Sequence, residues 1–146
     1  MYKDILLAVD REDEPSWRLS LPVALGHCEA FGARLHLVTV VHEIGVGDVA
    51  SFLPLDFEAQ RLDKTEQWLR EVAARNVPPG VAVQLNVGSG KVYAEILRIA
   101  RDVRADLIIM ASHRPELADY LLGSNAAHVV RHADCSVLVV RQRRRS

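Results

Sequence analysis

Residues 105–140, ADLIIMASHRPELADYLLGSNAAHVVRHADCSVLVV, contain the pattern that decides the fold. The apolar run at 107–110 predicts a buried strand, residues 126–132 predict a short helix, and the apolar run at 136–140 predicts another strand. Strands that are apolar on both faces and alternate with helices are typical of a parallel sheet covered on both sides. The connection at 112–125 is longer than the usual length of about two to six residues, which favours a functional loop.

The rest of the chain repeats this alternation. Pro22 interrupts the first helical pattern, so that helix either starts near Ser20 or is kinked there. We therefore predict an α/β fold of the Rossmann-like, adenine nucleotide alpha hydrolase-like kind: one doubly wound, five-stranded parallel sheet in the order 3-2-1-4-5, with helices on both faces. The remaining predicted strands are 5–9, 35–41 and 81–87, and the remaining predicted helices are about 16–32, 57–76 and 92–103.

Composition limits the classes of function. A chain of 146 residues with 49% hydrophobic and 25% charged residues predicts a single globular domain, which we place at 1–142, followed by a basic tail at 143–146. The net charge of −1 argues against a nucleic-acid partner. No apolar run approaches the roughly 18 residues of a membrane span, and we find no signal-peptide pattern at the start. Cys28 and Cys135 fit two core thiols in a reducing compartment, so we expect a cytoplasmic location.

The long loop and the end of the first strand supply candidate ligand residues. In the predicted order the first and fourth strands are neighbours whose chains leave in opposite directions, and ligands of such sheets bind beyond that point. Gly123, Ser124 and Asn125 open a helix whose free N–H groups suit phosphate, with His113 and Arg114 nearby. Two alternatives remain open at this point. Ser124 is equally a helix N-cap, and Asp10, a candidate for a ribose or an adenine amine, equally caps the next helix.

Three runs of sequence carry a resemblance to a known family. They are 105–115 (ADLIIMASHRP), 120–127 (YLLGSNAA) and 129–141 (VVRHADCSVLVVR). Together they resemble the C-terminal half of the universal stress protein family, in particular its bacterial F/G-type branch. The run ILLAVD at 5–10 and the turn GSG at 88–90 also fall where that family has them. The resemblance implies a regulatory or stress-response protein that binds ATP, with or without Mg²⁺, and forms dimers.

The nucleotide motif of that family, G-x2-G-x9-G-[ST], is altered in this chain. Ala111 and Arg114 stand at the first two glycines, and only eight residues separate Arg114 from Gly123. The F/G-type branch keeps such a loop and is still associated with nucleotide, and an arginine offers a charged fork suited to phosphate. The nucleotide-binding positions implied by the resemblance are Ala8, Val9, Asp10, Val40, Met110, Ala111, Arg114, Gly123, Ser124 and Asn125.

Other functions remain as alternatives. The chain is a slow Mg²⁺-dependent ATP hydrolase if Asp10, Glu12 and Asp13 hold the metal, or it has the same fold and no longer binds nucleotide. A phosphate-receiver domain ranks last, because it needs a lysine where Arg141 stands. We expect no catalytic residue and no resident metal site. His128 and His132 have the spacing of two metal ligands, but histidines near a helix C-terminus are more often partners of the helix dipole.

The last predicted strand suggests an oligomer. As the edge of the sheet, 136–140 would present an apolar row that natural proteins normally cover or pair. The resemblance implies a homodimer through this strand. The connection at 43–55 is unusually apolar, which indicates a lid over the nucleotide or a second interface that would form a tetramer.

Overall fold

In the computed structural model, residues 1–42, 56–112 and 122–142 are described here. They form five strands and four helices in strict alternation. The strands are β1 (Asp4–Ala8), β2 (Arg34–Val41), β3 (Val83–Ser89), β4 (Leu107–Ala111) and β5 (Ser136–Val140); the helices are α1 (Glu14–Phe31), α2 (Phe57–Asn76), α3 (Val92–Asp102) and α4 (Ser124–His132).

The five strands form one parallel sheet in the order β3-β2-β1-β4-β5, which confirms the predicted fold class and order. β1 is central, and its Leu7 is in register with Leu37 of β2 and Ile109 of β4. α1 and α2 pack on one face of the sheet, whereas α3 and α4 pack on the other. Because the crossovers change face between the two halves, the chains leave β1 and β4 in opposite directions, and the switch point lies between these two strands.

The central strands are apolar on both faces because both faces are covered. Ile5 and Leu7 belong to the core under α1 and α2, whereas Leu6, between them, belongs to the core under α3 and α4. All three side chains are fully buried. This alternation explains why the strand pattern in the sequence is a continuous apolar run and not an alternating one.

α1 begins earlier than one of the two predictions for it allowed. The helix begins at Glu14, with a proline in its first turn, and runs through Pro22, so a start near Ser20 is wrong. A proline inside a helix removes a backbone hydrogen bond and costs about 3 kcal/mol. The apolar side chains that α1 buries on both sides of Pro22 outweigh that cost, and they are Trp17, Leu21, Ala24 and Cys28.

Several expectations concern residues outside the described ranges. The apolar connection at 43–55, the loop residues His113 and Arg114, and the basic tail at 143–146 are among them. No helix within the described ranges combines the length and the apolar character that crossing a bilayer requires.

Candidate functional site

The candidate site is a cleft of about 320 Å³ at the carboxyl ends of β1 and β2. Its walls come from the turn after β1, from the last residues of β2 and its following residue His42, and from one side of α2. Ligands of open α/β sheets bind at this edge, so the position agrees with the architecture. The lining residues are Asp10, Arg11, Glu12, Thr39, Val40, Val41, His42, Arg61, Lys64 and Thr65.

Asp10 shapes the turn that forms one wall of the cleft. Its Oδ1 accepts a hydrogen bond from the backbone N–H of Glu12 (2.9 Å), and its carbonyl accepts one from the N–H of Asp13 (3.0 Å). The residue at the N-cap of α1 is Asp13. The alternative in which Asp10 caps the following helix is therefore wrong, because Asp10 stabilises an Asx turn three residues earlier. The side chain of Asp10 is exposed at the cleft, and its Oδ2 accepts no hydrogen bond from a described residue.

Arg61 holds α2 against the end of β2. One guanidinium nitrogen donates to the carbonyl of His42 (3.1 Å), and another forms an ion pair with Glu58 (3.1 Å). The guanidinium also lies 5.8 Å from the ring centre of Phe57. These contacts fix the first turns of α2 beside the cleft, and they leave the charge of Arg61 largely neutralised by Glu58.

The remaining cations of the cleft are less engaged. Arg11 lies over the ring of Trp68 at 6.0 Å, and Lys64 forms no ion pair with any residue in the described ranges. Two carboxylates, those of Asp10 and Glu12, face these cations across the cleft. The wall formed by α2 is therefore positive, whereas the turn after β1 carries the negative charge.

The opposite side of the sheet edge holds the start of α4. Gly123 is buried at the N-cap, and Ser124 is the exposed first residue of the helix. No side-chain hydrogen bond caps α4 at this position, so the alternative in which Ser124 serves as the N-cap is wrong. The first turn also contains no acidic residue. The free N–H groups and the positive end of the helix dipole therefore remain available to an anion.

The other predicted site residues have the following positions. Ala8 and Val9 lie at the end of β1, Val40 is half-buried in β2, and Met110 and Ala111 end β4. Asn125 is half-buried in the first turn of α4. Sheet order thus brings the ends of β1, β2 and β4 to one edge, whereas His113 and Arg114 lie outside the described residues.

Sequence reasoning missed the wall that α2 contributes. Thr39 and Thr65 are the two threonines of the chain, and both line the cleft. A signal was present, because Thr65 falls on the apolar stripe of α2, between Leu62 and Leu69 at helical spacing, and Thr39 interrupts an apolar strand. Buried polar residues on otherwise apolar faces are the informative exceptions.

His128 and His132 have partners other than a metal. The Nδ1 of His128 lies 2.7 Å from the carbonyl of Ser124, and its ring stacks on Tyr93 of α3 with the ring centres 4.3 Å apart. The rings of the two histidines are 6.4 Å apart. Within the described part of the chain, no three His, Cys, Asp or Glu side chains are grouped to hold a metal ion. These contacts connect α3 with α4.

The fold and the site define a doubly wound α/β domain with a ligand cleft at the carboxyl edge of its sheet. The universal stress protein family profile matches residues 1–141, and the chain belongs to that family. The universal stress protein G of Escherichia coli O157:H7 is 33% identical over 147 residues, which cover 97% of this chain and 100% of that protein. The universal stress protein UspA from Lactobacillus plantarum has a TM-score of 0.71 at 24% identity, covering 96% of this chain and 98% of that one.

Two further solved structures contain a nucleotide. A universal stress protein in complex with cAMP has a TM-score of 0.67 at 18% identity, covering 96% of this chain and 97% of that one. The universal stress protein from Archaeoglobus fulgidus in complex with dAMP has a TM-score of 0.62 at 18% identity, covering 94% and 97%. At this level of identity the two likenesses establish a shared fold.

Proposed function

We propose that this universal stress protein binds an adenine nucleotide, with ATP as the ligand, and serves a regulatory role in the stress response. The observation that carries the proposal is the cleft of about 320 Å³ at the switch-point edge of the sheet, which Asp10 and Val40 line. Its volume lies at the lower end of the range of about 300–1,000 Å³ for small-molecule sites. The cAMP and dAMP complexes of two proteins with this fold support the choice of an adenine nucleotide.

In this proposal the base and the ribose occupy the cleft. The free Oδ2 of Asp10 accepts hydrogen bonds from the ribose hydroxyls or from the adenine amine, and the main chain of Val40 contacts the base. Ala8, Val9, Met110 and Ala111 provide the apolar floor at the ends of β1 and β4.

The phosphates then extend across the sheet edge towards the start of α4. The N–H groups at Gly123, Ser124 and Asn125 donate to the phosphate oxygens, since the helix N-terminus favours anions. His113 and Arg114 are proposed to approach the same phosphates from the loop. Arg114 would supply the charged fork in place of the glycine of the family motif.

Titration calorimetry with ATP is the experiment that tests the proposal. ATP should bind the unmodified protein, and Asp10→Ala and Ser124→Ala should each weaken binding. Ser20→Ala is a suitable control, because Ser20 is buried in α1, where its hydroxyl bonds to the carbonyl of Trp17. If millimolar ATP produces neither heat nor a thermal shift, the proposal is wrong and the alternative of a family member without nucleotide is correct.

Slow hydrolysis of ATP is the second candidate function. The acidic cluster after β1, formed by Asp10, Glu12 and Asp13, is the feature that favours it. Part of this cluster is already engaged within the turn, since a carboxylate oxygen of Asp13 accepts a hydrogen bond from the Ser16 hydroxyl at 2.7 Å. Multiple-turnover release of phosphate that depends on Mg²⁺ and is lost in Asp10→Asn would establish the enzyme.

We also propose a homodimer formed through β5. This strand is an edge of the sheet, and its four apolar residues, 137–140, are only half-buried by the described residues of the same chain. Pairing two copies would remove the exposed edge. Sedimentation should give a dimer that Leu138→Lys converts to a monomer, and a monomer at micromolar concentration for the unmodified chain would contradict this assembly. The connection at 43–55 is the proposed lid or tetramer interface.

A cytoplasmic location completes the proposal. Cys28 and Cys135 are both free thiols, which suits a reducing compartment. Burial is the main cause that raises the pKa of both thiols, to about 11 for Cys28. The thiols are therefore protonated and unreactive at neutral pH.

A further inference from the structure

Two buried hydroxyl groups face the cleft without a protein partner. Thr39 of β2 is 2% exposed and Thr65 of α2 is 6% exposed. Neither hydroxyl forms a hydrogen bond with another residue of the described ranges, although both residues line the cleft. Buried polar groups normally have partners, so two unsatisfied hydroxyls in one cavity indicate that a ligand or water supplies them.

A cation lies beside these hydroxyls. Lys64 directly precedes Thr65 on α2, lines the same cleft and has no ionic partner among the described residues. Arg61, one helical turn earlier, adds positive charge even though Glu58 already accepts one of its hydrogen bonds. Hydroxyl donors next to an ammonium group provide both the hydrogen bonds and the charge that an anionic oxygen requires.

This wall lies away from the proposed phosphate contacts at α4. α2 covers one face of the sheet and α4 covers the other, so the two groups of donors flank the sheet edge from opposite sides. A nucleotide that places its 5′-phosphates at α4 and its ribose at Asp10 would direct the 2′ and 3′ positions of the ribose towards the turn after β1 and the wall of α2.

We propose that Thr39, Thr65 and Lys64 form a second anion subsite, which accepts a phosphate on the 2′ or 3′ position of the ribose. This inference rests on the proposed function, and it extends the ligand class to nucleotides with two separate anionic groups. The hydroxyls of Thr39 and Thr65 donate to the phosphate oxygens, and the ammonium group of Lys64 neutralises their charge. No covalent step is involved.

Calorimetric titration of AMP and of adenosine 3′,5′-bisphosphate tests the subsite. The bisphosphate should bind about tenfold more tightly than AMP, as expected for one added charge-assisted contact. In Lys64→Met and in Thr65→Val the ratio of the two affinities should fall towards one. Thr65→Ser keeps the hydroxyl and should keep most of the ratio, which distinguishes hydrogen bonding from packing.

Two control variants isolate the effect from general changes in charge and stability. Lys3→Met removes the same charge at the amino-terminal edge of the sheet, and Ser20→Ala removes a buried hydroxyl in α1, so both should keep the ratio. Equal affinity for AMP and the bisphosphate in the unmodified protein would overturn the subsite and leave the proposed function intact. Failure of both ligands to bind would overturn the subsite and the proposed function together.

Discussion

Gly88 packs so tightly against α3 that its replacement by alanine should destabilise the protein. The residue is buried near the end of β3, in register with Val40 at the cleft. A Cβ at this position would lie 3.0 Å from the Cβ, 3.3 Å from the Cγ and 3.2 Å from the Oε1 of Glu95. Ordinary van der Waals contacts begin at about 3.4 Å, so Glu95 must move by several tenths of an ångström.

The cost has two parts. The Cβ of Glu95 cannot rotate away, so relief requires a shift of α3, and overpacking of this kind costs about 1–3 kcal/mol. Moving the carboxylate also weakens the hydrogen bond that Oε1 accepts from the N–H of Ser89 (3.0 Å), which is worth about 0.5–1.5 kcal/mol. The lower entropy of the unfolded chain with alanine offsets about 0.4–1 kcal/mol. We expect a net loss in the free energy of unfolding of about 1–3 kcal/mol.

Urea denaturation provides the measurement, with Gly26→Ala as the matched control. Gly26 lies inside α1 with no atom within 4 Å of an added Cβ, so Gly26→Ala should stabilise by about 0.4–1 kcal/mol. In a Glu95→Ala background Gly88→Ala should still destabilise, because the Cβ of residue 95 remains, whereas a Glu95→Gly background should remove the penalty. A Gly88→Ala protein as stable as the unmodified one would refute the reasoning.

Three other predictions concern charge and reactivity. Hydrogen bonding to Arg98 is the main cause that lowers the pKa of Glu95 below its ordinary value of 4.5. Its stabilising effect should therefore be complete above about pH 4.5 and be lost as the pH falls through the lower pKa of the folded state, so denaturation of Glu95→Gln and the unmodified protein from pH 6 to pH 3 should show a difference that shrinks on acidification. Because burial, followed by the charge of Glu29, raises the pKa of Cys28 to about 11, iodoacetamide at pH 8 should label this thiol only after unfolding, and rapid labelling of folded protein in which Cys135 is replaced by serine would contradict the burial. Arg114→Ala should weaken ATP by roughly 1.5–3 kcal/mol and adenosine much less, as calorimetry would show, whereas equal losses would mean that Arg114 only occupies space.

The sequence by itself determined the elements and their order in the sheet. Residues 57–76 carry a regular helical stripe, and α2 has those bounds; the apolar run at 136–140 has the bounds of β5. Sheet order followed because short right-handed crossovers leave few arrangements of five parallel strands. These features depend on local periodicity and on general rules of connection, which a single sequence displays.

The tertiary structure decided which distant side chains meet. His36 is buried in β2, and its Nε2 lies 2.9 Å from Oδ1 of Asp4, a residue 32 positions away in the chain. Thr39 and Thr65 face one cleft only because α2 packs on β2 and Arg61 fastens its first turns to His42. The sequence marks each threonine as a polar residue in an apolar pattern, but the distance between two elements depends on how their faces pack, and no local pattern contains that information.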